Sequence, residues 1–244
     1  MNNNLKICMI LVMLFAGIQA VAREQSYILS SPDGKLVSHI VASSDDELSY
    51  DIAIDGVQIL KRSRLTLNRV YGTTTTDRLP VKKITRRSVD EMIKSPFYRQ
   101  AEMRNHYNEL TLQIKDGLWV DFRAYDEGFA YRYRTDQACT VKNELVEYNF
   151  AADWQATVPY VRGFDEKNPT GQYFNSFENI YTTDTLSQLD PRRLAFLPLV
   201  VHADNGVLVC LTESHQEHFP GLYLKGTGIS GQLRGDQAPC PDQI

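Results

Sequence analysis

The chain has 244 residues, 43% hydrophobic and 23% charged, with 14 Gly and 10 Pro. That composition excludes a disordered, collagen-like or coiled-coil chain, and the length suits one large domain or two small ones with a substantial core. A formal net charge of −4 leaves no basic excess to neutralise phosphates, which excludes nucleic acid as a partner.

Residues 1–22 have the form of a secretory signal. Lys6 supplies the positive start, Ile7 to Gly17 is almost wholly apolar, and Ala20-Val21-Ala22 is an A-x-A cleavage site ahead of Arg23-Glu24. The apolar run is too short to cross a bilayer roughly 30 Å thick, so no transmembrane segment is expected. Cys8 lies before or inside that run rather than just after it, and is not a lipidation site. The expectation is export to a bacterial periplasm, with one domain over residues 23–244. Export permits disulfides. With Cys8 removed, Cys139, Cys210 and Cys240 remain, so at least one thiol is free or pairs between chains.

From Tyr27 onward, short alternating runs are punctuated by turns. Ser31-Pro32-Asp33-Gly34 is a tight turn before the strand Leu36–Val41. Leu48 to Ile54 alternates, and Asp55-Gly56 is a hairpin signal before Val57–Leu60. Leu110, Leu112 and Ile114 alternate with polar residues, and Asp116-Gly117 turns the chain into Leu118–Arg123. Asp126-Glu127-Gly128 turns it again into Phe129–Arg134, with Phe129, Tyr131 and Tyr133 on one face and Arg132 and Arg134 on the other. Asp204-Asn205-Gly206 leads into Val207–Leu211. Helix is expected only as a single turn near Ser88–Ile93 or Thr185–Leu189. The turn spacing predicts a single, mostly antiparallel all-β domain over roughly 25–235, a sandwich or barrel. Pro159 to Pro191 lacks periodicity, and long irregular segments on a rigid sheet are where binding groups tend to sit.

Chemistry-bearing motifs are sparse. No nucleophile elbow, phosphate loop or zinc pattern is present. His215 and His218 are spaced for half a metal site, or mark a solvated turn before Phe219-Pro220-Gly221. Arg104-Asn105-His106-Tyr107-Asn108-Glu109 is an unusually polar hexad ahead of a strand, suited to a sugar or, more simply, to a buried network that fixes strand register. Glu178 lies in the irregular segment and Glu213 at the end of a strong strand. A hard cation such as Ca²⁺ needs several oxygen ligands, so either Glu alone is only part of a site.

Six stretches in order carry a family resemblance: Ser31–Lys35, Arg104–Leu110, Phe122–Tyr133, Glu144–Phe150 with Trp154–Pro159, Ser176–Tyr181, and Glu213–Leu224. Together they resemble the N-terminal domain of glycoside hydrolase family 97, the secreted bacterial α-glucosidases and α-galactosidases, over roughly Ser30 to Ala238. The resemblance implies a β-supersandwich similar to galactose mutarotase. It also implies that a central (β/α)8 barrel of about 250 residues, which would carry the catalytic carboxylates, does not fit within this length, and that the domain is C-terminally incomplete, since Gly235 to Ile244 fits the family poorly. No catalytic residue is then expected here. By the same resemblance Glu178 is a ligand of an active-site Ca²⁺ whose other ligands come from the barrel, and Glu213 has a structural or domain-facing role. The implied substrate is an α-linked oligosaccharide, and the chain by itself is expected to be inactive. The competing reading is a stand-alone carbohydrate-binding module of mutarotase-like fold. A mutarotase-type epimerase is the third, and no His-plus-Glu pair matches its motif.

Overall fold

The computed structural model describes residues 24–43, 47–71, 74–76, 80–214 and 219–239. The leader, His215, His218 and Cys240 lie outside the described residues. In chain order the strands are β1 (Gln25–Ser30), β2 (Leu36–Ala42), β3 (Leu48–Ile54), β4 (Val57–Tyr71), β5 (Thr74–Thr76), β6 (Val81–Lys94), β7 (Glu102–Ile114), β8 (Leu118–Tyr125), β9 (Gly128–Thr135), β10 (Thr140–Phe150), β11 (Gln155–Val158), β12 (Thr182–Thr185), β13 (Leu199–His202), β14 (Leu208–Leu211), β15 (Leu222–Gly226) and β16 (Gln232–Gln237). Among the described residues helix is limited to short 3-10 turns at Pro169–Tyr173, Leu186–Gln188 and Asp204–Gly206.

Among the described residues the strands form three sheets, and every strand pair is antiparallel. An 8-stranded sheet runs β1-β2-β3-β4-β10-β16-β15, with β5 on β4; a 4-stranded sheet runs β6-β7-β8-β9; another runs β12-β11-β13-β14. Apolar side chains from all three meet in one core: Ile40 and Leu65 from the large sheet, Leu110, Val120 and Phe122 from the second, Ala156, Val158 and Val201 from the third. The fold is the expected all-β sandwich. Its turns follow the local chemistry: Asp55 and Gly56 (φ 50° and 77°) and Asp116 and Gly117 (φ 60° and 67°) adopt the left-handed pairs that join strands with matching twist.

Two expectations are corrected. Ser88–Ile93 is strand, not a helical turn: it lies inside β6, held residue by residue against β7 from Ser88↔Asn108 to Ile93↔Met103. The hexad Arg104–Glu109 does not precede a strand but lies within β7. Thr185–Leu189 does contain a single turn, at Leu186–Gln188.

Alternation sorts the second sheet into two faces. Phe122, Phe129, Tyr131 and Tyr133 point inward to the core, whereas Asp121, Arg123, Arg132 and Arg134 lie on the outer face. On that outer face Glu109 is 5% exposed and accepts hydrogen bonds from Arg87 (Nε, 2.5 Å) and Arg123 (Nε, 2.7 Å). Both guanidinium groups also lie over the Tyr107 ring, at 5.8 and 4.3 Å. The hexad is therefore cross-strand glue: Arg104 grips Asp90, Asn105 donates to Glu91, and Asn108 donates to the Ser30 carbonyl of β1.

Asp121 is the most perturbed acid of this face. Burial pushes its pKa up, but hydrogen bonds from Arg134, Thr111 and Arg132 outweigh that and bring it down to about 2. A depressed carboxylate stabilises the fold above its unfolded pKa, and that contribution is lost as pH falls from about 4 toward 2. Asp121→Asn is therefore expected to cost about 1–2 kcal/mol at pH 7, discounted because both arginines are half exposed and recover solvation. Most of the cost should be gone at pH 2, where the folded carboxylate is about half protonated. Urea titrations at the two pH values check this, and an equal cost at both would show that the ion pairs are not its source.

Candidate functional site

β11 ends at Val158 and β12 begins at Thr182. Between them the chain is irregular apart from the 3-10 turn Pro169–Tyr173. It is nevertheless pinned. Val161, Leu194, Phe196 and Tyr223 form a small satellite core, with Tyr173 packed on it. Gln172, buried, ties the 3-10 turn to the segment after Leu189: its side-chain oxygen accepts from Leu194 N, and its nitrogen donates to the Arg192 carbonyl.

Glu178 sits on the exposed rim of this segment. The residues flanking it are fixed. The Asn175 side chain accepts from Phe177 N (2.8 Å) and donates to the Gln172 carbonyl (2.8 Å). Asn179 donates to the Tyr160 carbonyl (2.8 Å). Phe177 adopts φ 55°, a left-handed backbone that a bulky residue holds only when its surroundings impose it. Here its ring stacks on Tyr223 and meets Phe196 edge-on, at centroid distances of 6.2 and 5.8 Å. The carboxylate of Glu178 is thus held out on a clamped turn, and it makes no hydrogen bond or ion pair with any described residue. Around it Phe174, Phe177, Ile180 and Tyr181 are largely exposed, Ile180 by 83%. Clustered exposed apolar side chains of this kind are typical of interaction surfaces.

A cleft of about 560 Å³ opens beside the 3-10 turn, lined among others by Phe164, Tyr173, Arg192, Lys225 and Asp236, but not by Glu178. Its charges are paired internally. Arg192 is engaged by Asp190 and Glu166, and Lys225 by Asp236, which also accepts from the Tyr173 hydroxyl (2.8 Å). No group of three or more His, Cys, Asp or Glu suited to a metal ion occurs among the described residues.

A family profile described as "Glycosyl-hydrolase 97 N-terminal" matches residues 29–241. The chain belongs to this family. It is 44% identical over 238 residues to a retaining α-galactosidase of Bacteroides thetaiotaomicron, a match covering 97% of this chain and 36% of that protein. The chain thus spans about a third of the length of that curated relative. Among solved structures it is similar to a glycoside hydrolase family 97 enzyme from Pseudoalteromonas sp. strain K8 in complex with acarbose, with TM-score 0.69 and 20% identity over 87% of this chain and 32% of that one. A β-arabinopyranosidase is similar at TM-score 0.70 and 20% identity, over 87% of this chain and 35% of that one.

In this family 97 N-terminal domain Glu213 holds structure. Glu213 accepts from Leu222 N (2.6 Å), which ties the end of the β14 segment to the start of β15. Cys139 and Cys210 are free thiols, Cys210 exposed. One titratable pair was invisible to sequence reasoning. Glu144, on the inward face of β10, has its pKa pushed up to about 7, first by burial and then by the neighbouring charge of Glu213. The two are far apart in the chain, and only the sandwich brings them together.

Proposed function

We propose that this chain is the non-catalytic N-terminal domain of an exported α-glycosidase, which completes an active site built mainly by a (β/α)8 barrel. Its substrate class is the α-linked oligosaccharide. Support comes from the match to a retaining α-galactosidase, of which this chain corresponds to about a third. The observation that carries the reading is Glu178: an exposed carboxylate without a partner among the described residues, on a turn clamped by Asn175 and Asn179 and ringed by exposed apolar side chains. The rim has the makings of a docking face, with one charged ligand at its centre.

The donor chemistry fits Ca²⁺, a hard cation that takes carboxylate oxygens. Glu178 would offer one or both of its oxygens, and the other ligands would come from outside this chain. When bound, such an ion polarises and positions the substrate as a Lewis acid. The task of this domain is to hold the Glu178 carboxylate in place through Phe177 and the two asparagines.

Glu178→Gln, introduced into this chain joined to the barrel of the relative, is expected to weaken Ca²⁺ binding by about tenfold or more, read by calorimetry. The same variant should lower activity at limiting Ca²⁺ and recover part of it when the ion is in excess. Unchanged affinity would remove Glu178 from the metal site. The chain alone should hydrolyse neither p-nitrophenyl α-glucoside nor α-galactoside, and turnover above background would overturn the non-catalytic assignment.

A further inference from the structure

β6 is the open edge of its sheet: among the described residues it pairs with β7 alone. Its side chains are exposed on both faces along its length, Val81 and Val89 excepted. β8 pairs with β7 only as far as Asn108↔Ala124, whereas β6 and β7 continue together to Lys94↔Glu102. Residues 89–107 therefore form a two-stranded arm projecting past the sandwich. Met92, Ile93 and Phe97 on it are 60%, 43% and 100% exposed. A two-stranded ribbon is marginal in water, and a long open edge is a template for a further strand.

We propose that this edge pairs with β6 of a second copy of the chain, antiparallel about a two-fold axis at Val89, joining two 4-stranded sheets into one. The charge pattern along β6 is self-complementary in this register, which favours a second copy as the occupant. A two-fold axis perpendicular to the sheet sets one residue opposite itself, and all other pairs follow. With Val89 on the axis, Arg87 faces Glu91 of the second copy twice over, Thr85 faces Ile93, Ser88 faces Asp90, Arg86 faces Met92 and Ile84 faces Lys94. No like charges meet. An axis at Ser88 sets Arg86 against Asp90 but also Lys82 against Lys94, so its attraction is offset; one at Arg87 sets Arg87 against itself, and one at Asp90 opposes Asp90 to itself and Arg86 to Lys94. Like charges directly opposite are destabilising, so the neighbouring registers are disfavoured.

The outer face adds a second argument. Across the sheet, Arg123, Glu109 and Arg87 already form one row of alternating charge by register and by contact. Arg87 is its open end, and Glu91 of the second copy is the residue that extends the alternation. Glu91 in turn is backed by Asn105 on its own β7. The interface is closed and self-complementary, so it produces a dimer and not a filament.

Sedimentation velocity and register-specific cross-linking test this on the purified chain. The protein is expected to be substantially dimeric at about 100 µM. Val89→Cys should cross-link to itself with a thiol reagent of about 5 Å span, matching the separation of directly opposed side chains. Wild-type protein sets the background from its own thiols, and Met92→Cys, which faces Arg86, should not exceed that background. Glu91→Arg, an exposed substitution, should weaken association at least about tenfold. A monomer at that concentration, Val89→Cys cross-linking no better than Met92→Cys, or undiminished association of Glu91→Arg would each overturn the proposal.

Discussion

Phe122→Ala is expected to cost about 3–5 kcal/mol and to bring the urea midpoint down accordingly. Phe122 has no exposed surface. It lies in the middle of β8, opposite Leu110 on β7 and Tyr131 on β9. Its ring also meets those of Phe129 and Tyr131, at 6.0 and 6.3 Å. Phe129 in turn stacks on Tyr50 of the facing sheet at 5.4 Å, so one ring links the aromatic row to the contact between layers. Truncation leaves a cavity whose walls are strands on both sides, and paired strands cannot collapse into it as a loop would. Against a typical total of about 5–15 kcal/mol, the loss is a large share of stability. Phe97→Ala is the control: the same chemistry at a fully exposed position should change stability by no more than about 0.5 kcal/mol. Chemical denaturation of both variants decides the matter, and equal costs would contradict the packing of β8 between the layers.

The same contrast explains how much could be read from the chain. β3 was legible to the residue because Leu48, Tyr50, Ile52 and Ile54 alternate with Ser49, Asp51 and Ala53, and Asp55-Gly56 ends it. β9 was legible because Phe129, Tyr131 and Tyr133 face the core while Arg132 and Arg134 bind Asp121. β4 reads as ending near Leu60 because Lys61, Arg62 and Arg64 interrupt the apolar pattern. In the structure it runs on to Tyr71, with Ser63, Leu65 and Leu67 buried between them and Arg64 gripping Glu147 and Glu47. β6 failed for a related reason: a strand exposed on both faces shows no period, and only its pairing with β7 makes it a strand. At the candidate site the sequence marks the irregular segment, and the resemblance singles out Glu178. Its clamp by Asn175, Phe177 and Asn179 depends on Tyr160 and Tyr223, which no local pattern connects to it.

Glu144→Gln is expected to stabilise the chain by about 2–3 kcal/mol at pH 8 and to have no effect at pH 4. Glu144 is mostly buried, near Glu213 and near Tyr131, Tyr133 and Tyr148, whose hydroxyls burial holds neutral well past physiological pH. The amide of Gln237 approaches it at 3.5 Å. Its folded pKa, about 7, lies above the ordinary carboxylate value of 4.5. The fold therefore holds this proton more tightly than the unfolded chain does. Stability is greatest below the unfolded pKa and declines as pH rises from about 4.5 through 7, as a carboxylate is forced to ionise beside Glu213. Because the two carboxylates interact, the proton belongs to the pair, and the decline reports their joint titration. Glutamine keeps the shape and the hydrogen-bonding capacity of the protonated acid and cannot ionise, so it should flatten the profile. Denaturant titrations from pH 4 to 8.5 on wild type and Glu144→Gln measure the two slopes. Parallel slopes would mean that Glu144 ionises freely in the folded chain, and that the inward face of β10 admits water at that point.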